Sequence, residues 1–207
     1  MTAVRWPVDR LAEEVAVLAA RALPRDDYFR ELTPRLRRVI DCDAACWHTL
    51  DPETRLMTSD APEDLINSGV FTAETAPLAG AGIVASEYLV EDVNTFATLA
   101  SRRVPVSTLG AATRGHPERS TRWREVLAPS GIPFELRAAF VNRGRAWGAV
   151  HLARREETGD FSEADVTALA RITNAVGDGI RTSLRFDAAR RADSEAGPGL
   201  VVLGATR

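Results

Sequence analysis

The chain has 207 residues, of which 45% are hydrophobic and 27% are charged, and its formal net charge is −3. This composition is typical of a globular protein with one domain of about 150 residues and flanking helices. All 26 basic residues are Arg, but they are spread along a chain with a pI near 5.7. A nucleic-acid surface requires a clustered basic patch, so we expect no direct contact with nucleic acid.

The sequence contains no signal peptide and no apolar run of membrane-spanning length. Cys42 and Cys46 are its two cysteines, and they fall in or just before one predicted strand. Strand residues four apart lie about 13 Å from each other, which is beyond the reach of a disulfide. We therefore expect a cytoplasmic protein with no membrane partner.

The first 60 residues predict two helices and two strands. Residues 9–23 form an amphipathic pattern, and residues 26–40 form a second helical pattern that Pro34 interrupts, so that two short helices are an alternative. Strands are predicted at residues 44–50 and 55–59, with an Asp-Pro turn between them.

The next 70 residues give a mixed pattern. We predict a helix at residues 62–68, a loop rich in Gly and Ala near residues 80–82, and short helices over residues 86–99. A short strand follows at residues 104–108. The His-Pro pair at 116 and 117 indicates the start of another helix, because proline is tolerated in the first helical turn.

A hairpin is predicted from residue 140 onward. Phe140, Val141 and Asn142 lead into Arg143-Gly144-Arg145, where Gly144 can supply the positive φ of a short turn. The second strand covers residues 146–153, and Gly148 lies in it.

A long helix is predicted after the hairpin. Ser162 and Asp165 have the spacing of a capping box, which marks a helix start. Apolar residues then recur every three or four positions and define one helical face. These residues are Val166, Leu169, Ile172, Val176, Ile180 and Leu184.

The hairpin, the Phe-Ser-x-x-Asp helix start and the apolar helix together resemble the C-terminal part of a GAF domain. Residues 41–52, 91–94 and 147–152 resemble the GAF sensors found at the N-terminus of LuxR-type transcriptional regulators. The resemblance extends back to about Asp26. It implies an α+β, GAF-like (PAS/profilin-like) fold, in which an antiparallel sheet of five or six strands is flanked by helices.

This resemblance also divides the chain. Residues 1–24 are predicted to form an N-terminal helix suited to dimerisation, and residues 25–187 the sensor domain. Residues 188–207 are predicted to hold a linker and then a fragment, at 197–203, that resembles the opening strand of a PAS-type domain. An excised sensor or a shortened paralogue would explain such a fragment, and a disordered or edge-pairing tail is the alternative.

The function that the resemblance implies is that of a sensor, not an enzyme. We expect a homodimer, formed through the terminal helices, that binds an unidentified small molecule, needs no cofactor, and regulates transcription through an output domain absent from this chain. GAF ligands bind between one sheet face and the irregular segment after the second strand, which gives nine candidate ligand-binding residues. They are Trp47, His48, Tyr88, Asn94, Phe96, Trp123, Phe140, Trp147 and His151.

Two alternatives remain open at this stage. Cys46 could serve a thiol oxidoreductase similar to the GAF-fold methionine sulfoxide reductases. The domain could also be an interaction module without a ligand. A metal site is not predicted. Cys46 and His48 point to one face of the first strand, and the GAF sheet order, which places the second hairpin strand beside it, would let His151 approach them. Their spacing matches no zinc pattern, however, and no fourth ligand is evident.

Overall fold

The computed structural model describes residues 7–194, without the side chains of Glu63, Asp193 and Ser194. The predicted strand at residues 197–203 lies outside this range. Within it, the helices are α1 (Val8–Ala19), α2 (Arg25–Arg37), α3 (Glu63–Asn67), α4 (Ala76–Tyr88), α5 (Phe96–Ala100), α6 (Leu109–Thr113) and α7 (Glu163–Ser194). The strands are β1 (Ala44–Leu50), β2 (Met57–Ala61), β3 (Val106–Thr108), β4 (Phe134–Asn142) and β5 (Arg145–Arg154). A 3-10 turn (Pro117–Arg119) and a π-helical turn (Trp123–Leu127) connect α6 to β4.

The strands form one antiparallel sheet in the order β2-β1-β5-β4-β3. The last hairpin strand, β5, pairs with β1, as the resemblance implied, and places His151 opposite Cys46. Helices α1, α2 and α7 cover one face, and the irregular segment with α3, α4 and α5 covers the other. An α+β fold with an open, five-stranded antiparallel sheet and flanking helices is therefore confirmed.

The predicted turn and helix start of the C-terminal part are also present. Arg143 and Gly144 have φ values of 50° and 76°, the positive pair that a two-residue hairpin turn requires. The Asp165 amide donates to Ser162 Oγ at 3.3 Å, and the Ser162 amide donates to Asp165 Oδ2 at 2.8 Å. This reciprocal capping box begins α7, which is 32 residues long.

The sheet face under α1, α2 and α7 is filled by an apolar core. The Trp47 ring stacks between Phe29 and Phe140, with ring centroids 5.5 and 5.7 Å away. At Gly148, an added Cβ would lie 2.5 Å from Ile180 Cδ1 and 2.6 Å from the His48 carbonyl oxygen. Gly148 therefore lets α7 approach the sheet directly.

Helix α1 belongs to this same core. Its apolar stripe, Leu11, Val15 and Leu18, is buried within the protomer where α1 packs against α2 and α7. Since that stripe is already covered, the dimer expected through the terminal helices would have to use other surfaces of α1 and α7, and it stays a prediction.

Four local predictions were wrong. Helix α2 continues through Pro34. Both Pro34 and Arg30, whose carbonyl loses its helical partner there, are exposed residues, so water can replace the missing hydrogen bond. Strand β2 begins at Met57 because the preceding turn extends to Arg55, whose φ is 61°. The region after residue 116 forms two short turns instead of one helix. Apart from these errors, helix α7 extends to Ser194 and so includes the first residues of the segment predicted as a linker.

The fourth error concerns helix α4, which covers the sheet face opposite α1, α2 and α7. The loop predicted near residues 80–82 is the middle of α4, because the alanines around Gly80 and Gly82 have high helix propensity. Gly82 allows α4 to approach the π-helical turn, since an added Cβ would lie 2.6 Å from Val126 Cγ2.

Candidate functional site

A cavity of about 600 Å³ lies between α4 and the sheet face formed by β1, β2 and β5. Its floor is made by Cys46, His48 and His151, which project from β1 and β5 to the same side. Most of the remaining lining is aliphatic or aromatic, including Leu65, Ile66, Phe71, Ile83, Val126 and Leu127. Thr58 and Asp60 of β2 are exposed at the rim.

The small side chains of α4 explain why this space is not filled. Ala76, Ala79 and Gly80 line the cavity, and none of them reaches the sheet. Among the described residues of α4, Ser86 alone is buried. Helix α4 thus forms a roof over the cavity. It is in contact with the π-helical turn at Gly82, but its small side chains leave the space toward the sheet open.

The two floor histidines are buried without hydrogen-bond partners. Each is 4% exposed. Neither ring nitrogen of His48, nor Nε2 of His151, has a partner among the groups that the structure describes. A buried polar group without a partner costs free energy, so such groups are uncommon in a finished core.

Both imidazoles are neutral at neutral pH. Burial lowers the pKa of His48 to about 3, and the positive charge of Arg137 adds to the effect. Burial also lowers the pKa of His151 to about 4, against the opposing influence of Glu135. A neutral imidazole presents one donor and one acceptor, so the floor can hydrogen-bond to a molecule above it.

Beside the floor lies a network of buried charges, made of Arg122, Arg137, Glu87, Asp92 and Glu135. The Arg122 guanidinium donates to both Glu135 oxygens, through Nε at 3.0 Å and Nη2 at 2.8 Å. Its backbone amide donates to Asp92 Oδ2 at 2.7 Å. Burial opposes the charge on Glu135, but Arg122 and Arg137 outweigh it and lower the Glu135 pKa to about 2.

This network ties the irregular segment to the sheet. Arg137 on β4 forms an ion pair with Glu87 near the end of α4 and donates to the Asn94 carbonyl at 3.0 Å. Its guanidinium lies over the Phe96 ring, 3.8 Å from the centroid. His151 Nε2 is 3.6 Å from Glu135 Oε1, so the cavity floor borders the network directly.

The structure brings two of the nine sequence-predicted ligand-binding residues, His48 and His151, to the cavity. Trp47, Phe140 and Trp147 instead project from the opposite sheet face and pack in or against the apolar core there. Alternate residues of a strand point to opposite faces, and Trp47 and Phe140 have the wrong parity for the cavity. Trp147 has the same parity as His151, but it lies at the register shift opposite Phe140 and Val141, and this irregularity turns it toward the core. Placing them there was an error of register.

The other four candidates surround the charge network and do not line the cavity. Asn94 has a φ of 53° and donates from Nδ2 to the Thr108 carbonyl at 3.0 Å. Phe96 is buried against His48 and Arg137. Tyr88 is 39% exposed, and its hydroxyl accepts from the Met57 amide at 2.7 Å. Trp123 donates from Nε1 to the Pro133 carbonyl at 3.1 Å.

Sequence reasoning missed the roof and the charge network. A signal for the roof exists in residues 76–86, which contain no charged side chain. The network gives a misleading signal, because Glu135 and Arg137 alternate with apolar residues in β4 and so resemble the solvent face of a half-buried strand.

The thiols and possible metal ligands have the following positions. Cys46 lines the cavity floor, and neither it nor Cys42 is in a disulfide. Burial raises the pKa of the Cys42 thiol to about 11. Across residues 7–194, no group of three or more His, Cys, Asp or Glu side chains is arranged to hold a metal ion.

The comparisons with known proteins add no relative. No model of a known protein family matches the chain, and no similar sequence was found among curated proteins. None of the helices between residues 7 and 194 combines the length and the apolar character that a membrane span requires.

Proposed function

We propose that this chain is a GAF-like sensory domain that binds a small organic molecule in the cavity beneath α4. The single observation that carries the proposal is the cavity itself, whose volume of about 600 Å³ is that of a small-molecule site. Its lining is mainly apolar and contains a few convergent polar groups, which is the usual composition of such sites. A cavity of this size also favours a ligand-binding module over an interaction module without a ligand.

Two further features support the GAF-like assignment. The sheet is antiparallel with helices on both faces, and β5 lies beside β1 as the resemblance implied. The cavity lies between one sheet face and the segment that follows β2, which is the position of the ligand in GAF domains. Regulation of transcription through an output domain rests on the sequence resemblance to LuxR-type regulators.

The charge network supplies a route by which binding could change the surface. A ligand that contacts Gly80 and Ile83 favours one position of α4, and Glu87 near the end of that helix is paired with Arg137 on β4. Strand β4 packs against α7 on the opposite face. A ligand with different affinities for two positions of α4 would therefore shift the population of α7 arrangements.

Filling the cavity tests the proposal. Wild-type protein and two variants, Gly80→Trp and Ala81→Trp, are screened by thermal shift against a library of small organic metabolites. Gly80 lines the cavity, whereas Ala81 is exposed on the outer side of the same helix and serves as the matched control. We expect compounds that raise the Tm of the wild type to lose their effect on Gly80→Trp and to keep it on Ala81→Trp.

The proposal fails if no compound raises the wild-type Tm. It also fails if the compounds that do so act equally on the Gly80→Trp protein, because binding would then lie outside the cavity.

A further inference from the structure

We propose that the ligand of this cavity is an uncharged, mainly apolar molecule with a hydroxyl group that His48 and His151 hold between them. This inference rests on the proposed function and names the chemistry of the molecule that the site would accept. It is carried by the unpartnered ring nitrogens, by the charges of the lining residues, and by the positions of the two histidines on neighbouring strands.

The unpartnered nitrogens are the first step. Nδ1 and Nε2 of His48 are buried and have no hydrogen-bond partner within the described part of the chain. Nε2 of His151 also has none, since its nearest recorded acceptor, Glu135 Oε1, is 3.6 Å away. His48 projects into an apolar cavity in which a phenylalanine would pack without that cost. Polar groups in this position indicate that a bound molecule completes their hydrogen bonds.

The geometry of the two histidines favours one shared group. Cys46 pairs with His151, and Ala149 pairs with His48, so the histidines are diagonal neighbours on one sheet face. Such neighbours are about 7–8 Å apart, within reach of side chains the size of imidazole. One oxygen atom between them would hydrogen-bond to both rings. A hydroxyl suits this position because it both donates and accepts, as the neutral rings require.

The charges of the lining argue against an anionic ligand. All 26 basic residues of the chain are Arg, yet none of the described lining residues is an Arg. Arg137 stacks on Phe96, which in turn contacts His48. Its charge is already compensated by Glu87 and it donates to the Asn94 carbonyl, although its Nε and Nη2 have no hydrogen-bond partner within residues 7–194. Among the lining residues whose side chains the structure describes, the one carboxylate is Asp60, which is exposed at the rim. A carboxylate or phosphate would therefore enter an apolar space without a compensating charge.

Three probes of nearly the same shape test the inference. Naphthalene has no polar group, 2-naphthol adds a neutral hydroxyl, and 2-naphthoate adds a negative charge. Binding of each to the wild-type protein is measured by equilibrium dialysis at pH 7. We expect 2-naphthol to bind about tenfold more tightly than naphthalene, since one to two net hydrogen bonds correspond to that factor. We expect 2-naphthoate to bind more weakly than either.

Histidine variants locate the effect. His48→Phe and His151→Phe keep a ring at each position and remove its nitrogens, and we expect each to bring the affinity ratio of 2-naphthol to naphthalene close to one. His116→Phe is the matched control, because His116 is the third histidine and lies exposed before the 3-10 turn. That variant should keep the wild-type ratio.

Each outcome has a defined meaning. Equal binding of naphthalene and 2-naphthol, tight binding of 2-naphthoate, or an unchanged ratio in both floor variants overturns the inference while the cavity remains a binding site. Failure of all three probes to bind the wild type overturns the inference as well, and the metabolite screen on Gly80→Trp decides the proposed function separately. The affinities of the three probes for the wild-type protein test the inference even if one variant does not fold.

Discussion

The two faces of the central sheet are built in opposite ways, although the same strands form both. On the face covered by α1, α2 and α7, the inward side chains are apolar and closely packed, with Trp47 stacked between Phe29 and Phe140. On the face covered by α4, the inward side chains include two histidines and a charge network, and a cavity of about 600 Å³ separates roof from floor. One face is a closely packed apolar core, and the other holds buried polar side chains in fixed positions around a cavity.

Strand β4 shows the contrast within nine residues. Leu136, Ala138 and Phe140 contribute to the apolar core, while Glu135 and Arg137 between them are fully buried on the other side. Buried ion pairs add little net stability compared with apolar residues, because removing charges from water is costly. The network is therefore best understood as a positioning element that holds the end of α4, Asp92 and the π-helical turn in place. Stability comes mainly from the α7 face.

The largest effect is expected from breaking the charge network. Glu135→Gln removes the carboxylate that accepts both bonds from Arg122, leaving two buried guanidinium groups insufficiently compensated. We expect a loss of about 3–5 kcal/mol in the free energy of unfolding, measured by urea denaturation.

An exposed ion pair is the control for this prediction. Glu53 pairs with Arg145 on the surface, at side-chain exposures of 68% and 54%. Glu53→Gln should cost less than about 1 kcal/mol. A similar small cost for Glu135→Gln would show that the network is not compensating buried charge, and the contrast between the faces would then fail.

Two glycine substitutions sharpen the comparison of packing. Gly148→Ala places a methyl group 2.6 Å from the His48 carbonyl oxygen, a backbone atom that cannot rotate away, and we expect a cost of about 1–3 kcal/mol. Gly80→Ala adds the same methyl group in α4, where no atom lies within 4 Å of it. Because alanine favours the helix, that change should stabilise the protein by about 0.5–1 kcal/mol.

Thermal and urea unfolding of the two alanine variants give this difference directly. Opposite signs are the expected result. If Gly148→Ala is neutral, α7 is not packed directly against the sheet as described, and if Gly80→Ala is destabilising, the space beneath α4 is not open.

The difference between the faces also explains what the sequence could and could not predict. The C-terminal hairpin and α7 depend on local signals, namely the positive φ of Gly144, the Ser162 and Asp165 pair and the apolar period, and all of them were recognised. The apolar face also depends on a local signal, since hydrophobic periodicity identifies which side of a helix is buried.

The cavity face was predicted poorly because its determinants are not local. His48 and His151 were correctly expected to face the same side, but the strand parity that excludes Trp47 was not applied. The burial of Glu135 and Arg137 depends on partners 13 and 50 residues away, Arg122 and Glu87, and no period in the sequence indicates it. The roof was missed because alanine and glycine serve loops and helices equally well in a short pattern.

A further modest effect at pH 7 concerns His48 itself and depends on pH. His48→Phe keeps a ring against Phe96, whose centroid is 5.2 Å from that of the imidazole, and removes two unpartnered nitrogens. We expect the ligand-free variant to be about 1 kcal/mol more stable than the wild type at pH 7. That result would show that His48 lowers the stability of the ligand-free protein, as expected of a residue that is kept for binding and not for packing.

The pH dependence follows from the direction of the pKa shift. The folded protein holds His48 neutral down to about pH 3, whereas the unfolded chain takes up a proton near pH 6.5. Stability from the neutral form is present above pH 6.5 and is lost as the pH falls, by about 1.4 kcal/mol per pH unit for each such histidine. His151, with a folded pKa of about 4, contributes in the same direction in both proteins. The advantage of His48→Phe should therefore grow by about 1.4 kcal/mol per pH unit below pH 6, as measured by urea denaturation at pH 7, 6 and 5. A constant advantage across that range would mean that His48 is protonated in the folded protein, and the floor of the cavity would then carry a charge that suits an anion.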